Sequence, residues 1–248
     1  MYYGTLYPRE IEERWLILNE VMQGSSTELK ELLSIRHTVN EYKKDTFLFR
    51  EGDTIKGIYL IRSGKVQIGK VTPEGRELTL RLCGPNQFVG EFTLFSEAPK
   101  YMLDAKVVEA AVCVKIQIED LEEALSNDAK LAVSFMKWMG INHQKTQTKF
   151  RDLMLHGKKG ALYSTLIRMT NSYGIREENG VLIDLTLTNQ ELANFCGMTR
   201  EVVNRLLSDL KKQNIVSMVN GKIFIHDLQY LKDEINCENC PIAFCKID

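Results

Sequence analysis

No stretch of about eighteen apolar residues occurs in the chain, so no membrane-spanning helix is expected. The first residues, Met1-Tyr-Tyr-Gly-Thr5, hold no basic segment followed by an apolar one, which points away from an export signal and towards the cytoplasm. An excess of charge is also missing. The 32 Lys and Arg against 33 Asp and Glu give a net charge of -1, which excludes a uniformly basic coat and leaves a local basic patch open. The four histidines are dispersed, and no Ser/His/Asp set, phosphate loop or paired-carboxylate motif stands out, so an enzyme is not expected. Cysteine is absent before Cys83, and in a reducing compartment the six cysteines do not imply disulfides.

What is present suits two modest domains with real cores: 248 residues, 44% hydrophobic and 26% charged. From Glu10 to Ser34, Leu16, Val21, Leu29, Leu32 and Leu33 carry helical spacing. Between Val39 and Ile118 the pattern turns short and alternating. Ile58 and Leu60, Val66 and Ile68, then Leu78, Leu80 and Leu82 fall two apart, separated by turn signals at Gly52-Asp53, Ser63-Gly64, Pro73-Glu-Gly75, Gly84-Pro85 and Gly90. Many short strands at this spacing predict a small barrel or sandwich. A long helix is predicted from Asn127 to His156, with Met136, Met139, His143, Thr146, Phe150 and Leu153 at spacings of three and four. That seam packs either on its own barrel or on a second copy of the chain, and the dimer is the reading preferred here.

The most specific local signal follows. Thr188-Asn-Gln-Glu191 is a capping box and opens a helix with Leu192, Ala193 and Phe195 on its apolar face. Gly197 ends it, and Thr199 is placed to cap a second helix through Lys211. Two helices around a glycine turn form helix-turn-helix geometry. Val216-Ser-Met-Val219 and Lys222-Ile-Phe-Ile225 then flank Asn220-Gly221, a hairpin signal that predicts a wing. On the second helix Val203, Leu206, Leu207 and Leu210 form the inner stripe, leaving Arg200, Glu201, Asn204 and Arg205 outside at the N-terminal end, where a recognition helix meets bases. Arginine can fork onto guanine O6 and N7, and glutamate can accept from cytosine N4. A solvated charged face is the alternative. The candidate DNA contacts are Thr188, Thr199, Arg200, Glu201, Asn204 and Arg205.

Three cysteines crowd the last twelve residues, Cys237-Glu-Asn-Cys240-Pro-Ile-Ala-Phe-Cys245, against three scattered ones, Cys83, Cys113 and Cys196, which read as small buried apolar residues. A C-x2-C step brings two thiolates around one turn, a third closes the face, and Cys-Pro ends many iron-sulfur ligand runs. Structural zinc held by Cys237, Cys240 and Cys245 with His226 or another ligand, or merely free thiols, are the competing readings.

Phe49-Arg-Glu-Gly52-Asp53, Tyr59-Leu-Ile-Arg-Ser-Gly64-Lys-Val66 and Gly90-Glu91-Phe-Thr-Leu94-Phe95 resemble successive turns of the cyclic-nucleotide-type β-roll of Crp/Fnr transcription regulators. The long helix resembles that family's dimer helix, and Arg200-Glu201-x-x-Asn204-Arg205 its recognition helix, so the resemblance spans nearly the whole chain. It implies an α+β chain: N-terminal helical segment and β-roll over 1–126, dimerisation helix over 127–157, winged helix-turn-helix over 158–230 and a cysteine tail over 231–248. It also implies a homodimer on a TGTGA-N6-TCACA-like palindrome and contact with RNA polymerase. Cyclic-AMP-binding members place an arginine where this chain has Lys100-Tyr-Met-Leu-Asp104-Ala105, and Asp104 would repel a phosphate, so cyclic AMP is not expected. An effector-binding β-roll, of the kind that takes an aromatic acid, remains an alternative. The C-terminal C-x2-C-x4-C resembles the subgroup of Gram-positive bacilli, oxygen-responsive activators of anaerobic and nitrate respiration with a 4Fe-4S cluster. Three thiolates leave one iron short of a ligand, and the subgroup's aspartate points to Asp152, against His156, Cys196 or Asp248.

Overall fold

A computed structural model of the chain describes residues 32, 34–91, 94 and 96–248. Most of the helical segment expected between Glu10 and Ser34 lies outside the described residues. The described residues divide into two compact units: those up to Val66 with those of Cys83–Lys137, and Gln67–Leu82 with Trp138–Asp248. Among the described residues no helix is long and apolar enough to cross a membrane.

The first unit is built on β1 (His37–Tyr42), β2 (Phe47–Phe49), the start of β3 (Gly57–Val71), β5 (Phe88–Val89) and β6 (Asp104–Gln117). Antiparallel β1 and β2 both pair β6, β6 lies beside β3, and β3 pairs β5. Two sequence expectations change here. The Ser63-Gly64 turn does not end a strand: β3 is a single strand of 15 residues. Gly64 sits inside it at φ +80°, where a Cβ would stand 2.2 Å from the Ala110 carbonyl oxygen, so close approach to β6 requires glycine. Nor does burial alternate at Ile58 and Leu60, because Tyr59 and Ile61 are buried as well and the strand is covered on both faces. Helix α1 (Ile118–Asn127) follows and buries Ile118, Leu121 and Leu125.

Helix α2 (Ala129–Leu155) starts two residues later than expected, since Asp128 is extended and its carboxylate caps the amides of Lys130 and Leu131 at 2.9 and 3.2 Å. Helix α3 (Gly157–Tyr173) buries every residue from Gly160 to Met169. The end of β3 pairs β4 (Glu77–Cys83), whose buried positions are Thr79, Leu82 and Cys83; of the expected Leu78, Leu80 and Leu82, Leu82 is buried and the other two are half-buried. Strands β7 (Gly174–Glu177), β8 (Gly180–Thr186), β9 (Val216–Val219) and β10 (Lys222–Ile225) form an antiparallel sheet in the order β7-β8-β10-β9. Between β8 and β9 run α4 (Asn189–Cys196) and α5 (Arg200–Lys212), and α6 (Leu228–Asp233) follows β10. Leu162, Leu166, Leu192, Phe195, Val203, Leu207 and Leu210 form the core that carries α4 and α5, each contributing about 1.5–3 kcal/mol on burial.

Candidate nucleic-acid interface and candidate metal centre

Thr188 caps α4 as the sequence requires: its hydroxyl accepts from the Glu191 amide at 3.2 Å, and Glu191 reaches back to the Thr188 amide at 2.7 Å. The cap therefore accounts for Thr188 by itself. Gly197 closes the helix at φ +61°, ψ 34°, the left-handed conformation of a C-terminal glycine. Thr199 stands at the N-cap of α5 without a side-chain bond to the backbone, contrary to expectation. The Glu201 carboxyl is held below the usual range, first by its own amide and then by the neighbouring Thr199.

Val203, Leu207 and Leu210 point α5 into the core, with Leu206 half-buried, and Arg200, Glu201 and Arg205 are exposed on the opposite side. Asn204 is half-buried, and its carbonyl end accepts from Asn189 at the start of α4. The wing forms at Asn220-Gly221, both at positive φ, with Val219 opposite Lys222 and Val216 opposite Ile225. One face of one short helix thus presents two guanidiniums and a carboxylate, a donor and acceptor set suited to base edges.

The tail folds back within the second unit. After α6, Asn236 (φ 46°) and Asn239 (φ 51°) turn the chain in the left-handed region that asparagine tolerates, and a further turn over 241–245 places the Cys245 amide 3.2 Å from the Pro241 carbonyl. Cys237, Cys240 and Cys245 line a cavity of about 170 Å³ with Asp152, Arg151, His156, Ser164 and Arg168. All four sequence-chosen ligand candidates therefore meet at one place. Of the alternatives, His156 lines the same cavity, whereas Cys196 is buried with Thr165 and Asp248 accepts from Ser172. His226 lies on the wing, bonded to Ser217 at 2.8 Å, and does not line the cavity. Among the described residues no three His, Cys, Asp or Glu side chains stand close enough to hold a single metal ion.

Asp152 is not a solvated surface carboxylate. It is 6% exposed, its Oδ2 accepts from Arg168 Nη2 at 2.6 Å and from Ser164 Oγ at 2.7 Å, and its Oδ1 accepts from Arg151 at 2.9 Å. Burial alone pushes its pKa up, but the bonds from Arg168, Ser164 and Arg151 outweigh burial and hold it below the usual range. Burial raises the Cys245 thiol, Arg168 opposes this, and Cys237, Cys240 and Asp152 raise it further, so these groups share one electrostatic environment. Arg151 Nη2 lies 3.8 Å from Cys240 Sγ.

The cyclic nucleotide-binding domain family matches residues 39–128, and the Crp-like helix-turn-helix domain family matches residues 161–234. The anaerobic regulatory protein of Bacillus subtilis (strain 168) is 51% identical over 224 residues, 90% of this chain and 94% of that one. The chain belongs to the Crp/Fnr family. Its relatives include the CRP-like cAMP-activated global transcriptional regulator of Mycobacterium tuberculosis (strain H37Rv), 24% identical over 191 residues, 77% of this chain and 85% of that one. The fold resembles that of FixK2 from Bradyrhizobium japonicum, with a TM-score of 0.69 at 19% identity over 80% of this chain and 97% of that one. This Crp/Fnr chain is a DNA-binding transcription regulator, and its domains and relatives are not those of enzymes.

Sequence reasoning about this Crp/Fnr regulator missed Arg168 and Ser164. Their signal is a cation and a hydroxyl inside the otherwise mostly apolar stretch Ala161–Met169 of α3, where a buried arginine demands a partner.

Proposed function

We propose that the chain is an oxygen-responsive regulator of anaerobic metabolism, including anaerobic and nitrate respiration, that activates transcription as a homodimer while a 4Fe-4S cluster is intact. The observation that carries this reading is the meeting of Cys237, Cys240, Cys245 and Asp152 on one cavity beside the end of α2. The donor set fits the group: thiolates suit iron-sulfur clusters, the carboxylate supplies the missing fourth ligand, and two guanidiniums offset the negative charge. Zinc would need a further ligand close to the three thiols, and His226, the histidine proposed for that role, does not line the cavity. Bound there, the cluster supplies an oxygen-labile bond between the tail and α2. The 51% identity to an anaerobic regulatory protein supports the same reading.

The chain's own residues then do the rest. Arg200, Glu201 and Arg205 read a TGTGA-like half-site from α5, with Thr199 orienting Glu201, and a base edge competes with Asn189 for the carbonyl end of Asn204. Exposed Met136, Phe150 and Met154 on α2 supply the surface for a second copy, whose two-fold axis matches the palindrome. RNA polymerase is the expected partner at the promoter. Cyclic AMP is not an expected ligand: the Glu91 carboxylate is engaged by the amides of Met102 and Leu103, and Asp104 accepts from the Glu51 amide. A second reading, an effector-binding β-roll, draws on a cavity of about 400 Å³ lined by Tyr59, Tyr101, Lys56 and Lys115.

A tenfold to hundredfold switch requires the cluster to favour the DNA-competent state by about 1.4–2.8 kcal/mol. Anaerobic reconstitution, visible absorption, iron and sulfide assay and footprinting with and without air test the reading. Iron and sulfide uptake with palindrome binding lost in air is the expected result; equal binding by the cluster-free and loaded proteins refutes it.

A further inference from the structure

We infer that Arg168 is a positioning residue for the cysteine site: one buried guanidinium fixes both the Asp152 carboxylate and the main chain that presents Cys245. The inference rests on the reading of this cavity as an iron-sulfur site. Arg168 is 1% exposed, and its three nitrogens go to three places. Nη2 donates to Asp152 Oδ2 at 2.6 Å, Nε to Ser164 Oγ at 3.3 Å, and Nη1 to the Phe244 carbonyl at 3.0 Å. The Ser164 hydroxyl in turn donates a hydrogen bond to the same Oδ2 at 2.7 Å, closing a small ring around that oxygen. One turn along α3, Asn171 donates to the Cys245 carbonyl at 2.7 Å, so consecutive tail residues are pinned from side chains three apart on one helix face.

The two oxygens of Asp152 are unequal as a result. Oδ2 is held by Arg168 and Ser164, both buried. Among the described residues Oδ1 accepts from Arg151, through Nε at 3.1 Å and Nη2 at 2.9 Å, and that side chain is 31% exposed and also pairs with Glu238. A carboxylate that binds metal through one oxygen is oriented by hydrogen bonds to the other. Oδ2 is therefore the orienting oxygen, and Oδ1, held by the more exposed Arg151, is the one that would be free to meet iron once Arg151 kept to Glu238. Lysine cannot reproduce the role of Arg168, because a single ammonium lacks the planar fork that reaches carboxylate, hydroxyl and carbonyl together.

Full-length protein with Arg168→Met, Arg168→Lys or Arg151→Met tests this with two readouts. In metal-free, reduced protein, amide hydrogen exchange over residues 237–248 is expected to accelerate about tenfold or more in Arg168→Met, less in Arg168→Lys, and little in Arg151→Met, while α4 and α5 keep wild-type protection. After anaerobic reconstitution, visible absorption is expected to bleach in air several-fold faster in Arg168→Met than in wild type. Wild-type tail exchange in Arg168→Met, or a wild-type bleaching rate in a reconstituted Arg168 variant, overturns the inference. If Arg168→Met does not fold, Arg168→Lys carries both readouts. A wild-type protein that takes up no iron and sulfide sinks the iron-sulfur reading, and the exchange comparison still decides whether Arg168 holds the tail.

Discussion

Lys149 carries its amine into the interior of the second unit, where Nζ donates to the carbonyls of Thr79 and Leu80 at 3.1 and 2.8 Å and lies 5.3 Å from the centre of the Phe195 ring. Burial pushes its pKa down to about 7, with Cys196 opposing and Arg168 reinforcing the shift. A base whose pKa falls from 10.5 to about 7 on folding holds fewer protons folded than unfolded across that interval, so stability rises with pH there and is lowest below it. The urea midpoint is expected to rise from pH 7 to pH 9, and Lys149→Met to flatten that rise. Asp152 behaves in the opposite sense: its carboxyl is held low, so its contribution is lost as pH falls. Replacing it with alanine strands the buried Arg168 charge and is expected to cost about 3–5 kcal/mol in urea unfolding of the metal-free protein. Asparagine, which keeps the shape, is expected to cost less. Neither environment is legible nearby in the chain. Lys149, Arg151 and Asp152 look like a solvated helix face until Arg168, sixteen residues beyond Asp152, returns on α3 to pair with it.

At the scale of elements, α4 and α5 were legible because their determinants are local. Thr188 and Glu191 satisfy each other across three residues, and Asn220-Gly221 needs only its two flanking strands. Thr188→Ala is expected to cost about 1 kcal/mol. Gly197→Ala is expected to cost about 1–2 kcal/mol through its positive φ alone, since the nearest atom to an added Cβ is Leu78 Cδ1 at 3.8 Å. Gly197→Asn recovers part of that loss, because asparagine tolerates the left-handed region, and thermal unfolding of the two variants separates strain from crowding. The β-strands were legible only in part. Whether Gly64 ends a strand or lets one pass close to its neighbour depends on Ala110, across the sheet, and no local spacing reports that. The phase of β4 is likewise set at a distance: Thr79 is buried while its carbonyl receives Lys149, and the Glu77 carboxylate receives Asn194 of α4 at 2.8 Å.

For the whole molecule, the proposed dimer turns on the outward face of α2. Met136, Phe150 and Met154 are 61%, 65% and 67% exposed, with polar His143 and Thr146 exposed between them. Large apolar side chains recurring along one helix are what the proposed dimer contact needs, and a seam with a polar middle suits a dimer of moderate stability. If two copies meet there, each recognition helix faces one half-site, and affinity for the palindrome depends on both being held at the spacing of one helical turn. Phe150→Glu is therefore expected to yield monomers in sedimentation equilibrium and to lower palindrome affinity at least about tenfold, leaving weak salt-sensitive binding to any duplex. Arg200→Ala is expected to stay dimeric and to lose about 1–3 kcal/mol of discrimination at a single guanine position in each half-site. The pair of variants separates the two demands that the fold places on recognition. A monomeric Phe150→Glu protein that still binds the palindrome at wild-type affinity would move the dimer contact away from α2, whereas unchanged base preference in Arg200→Ala would move the reading away from the start of α5.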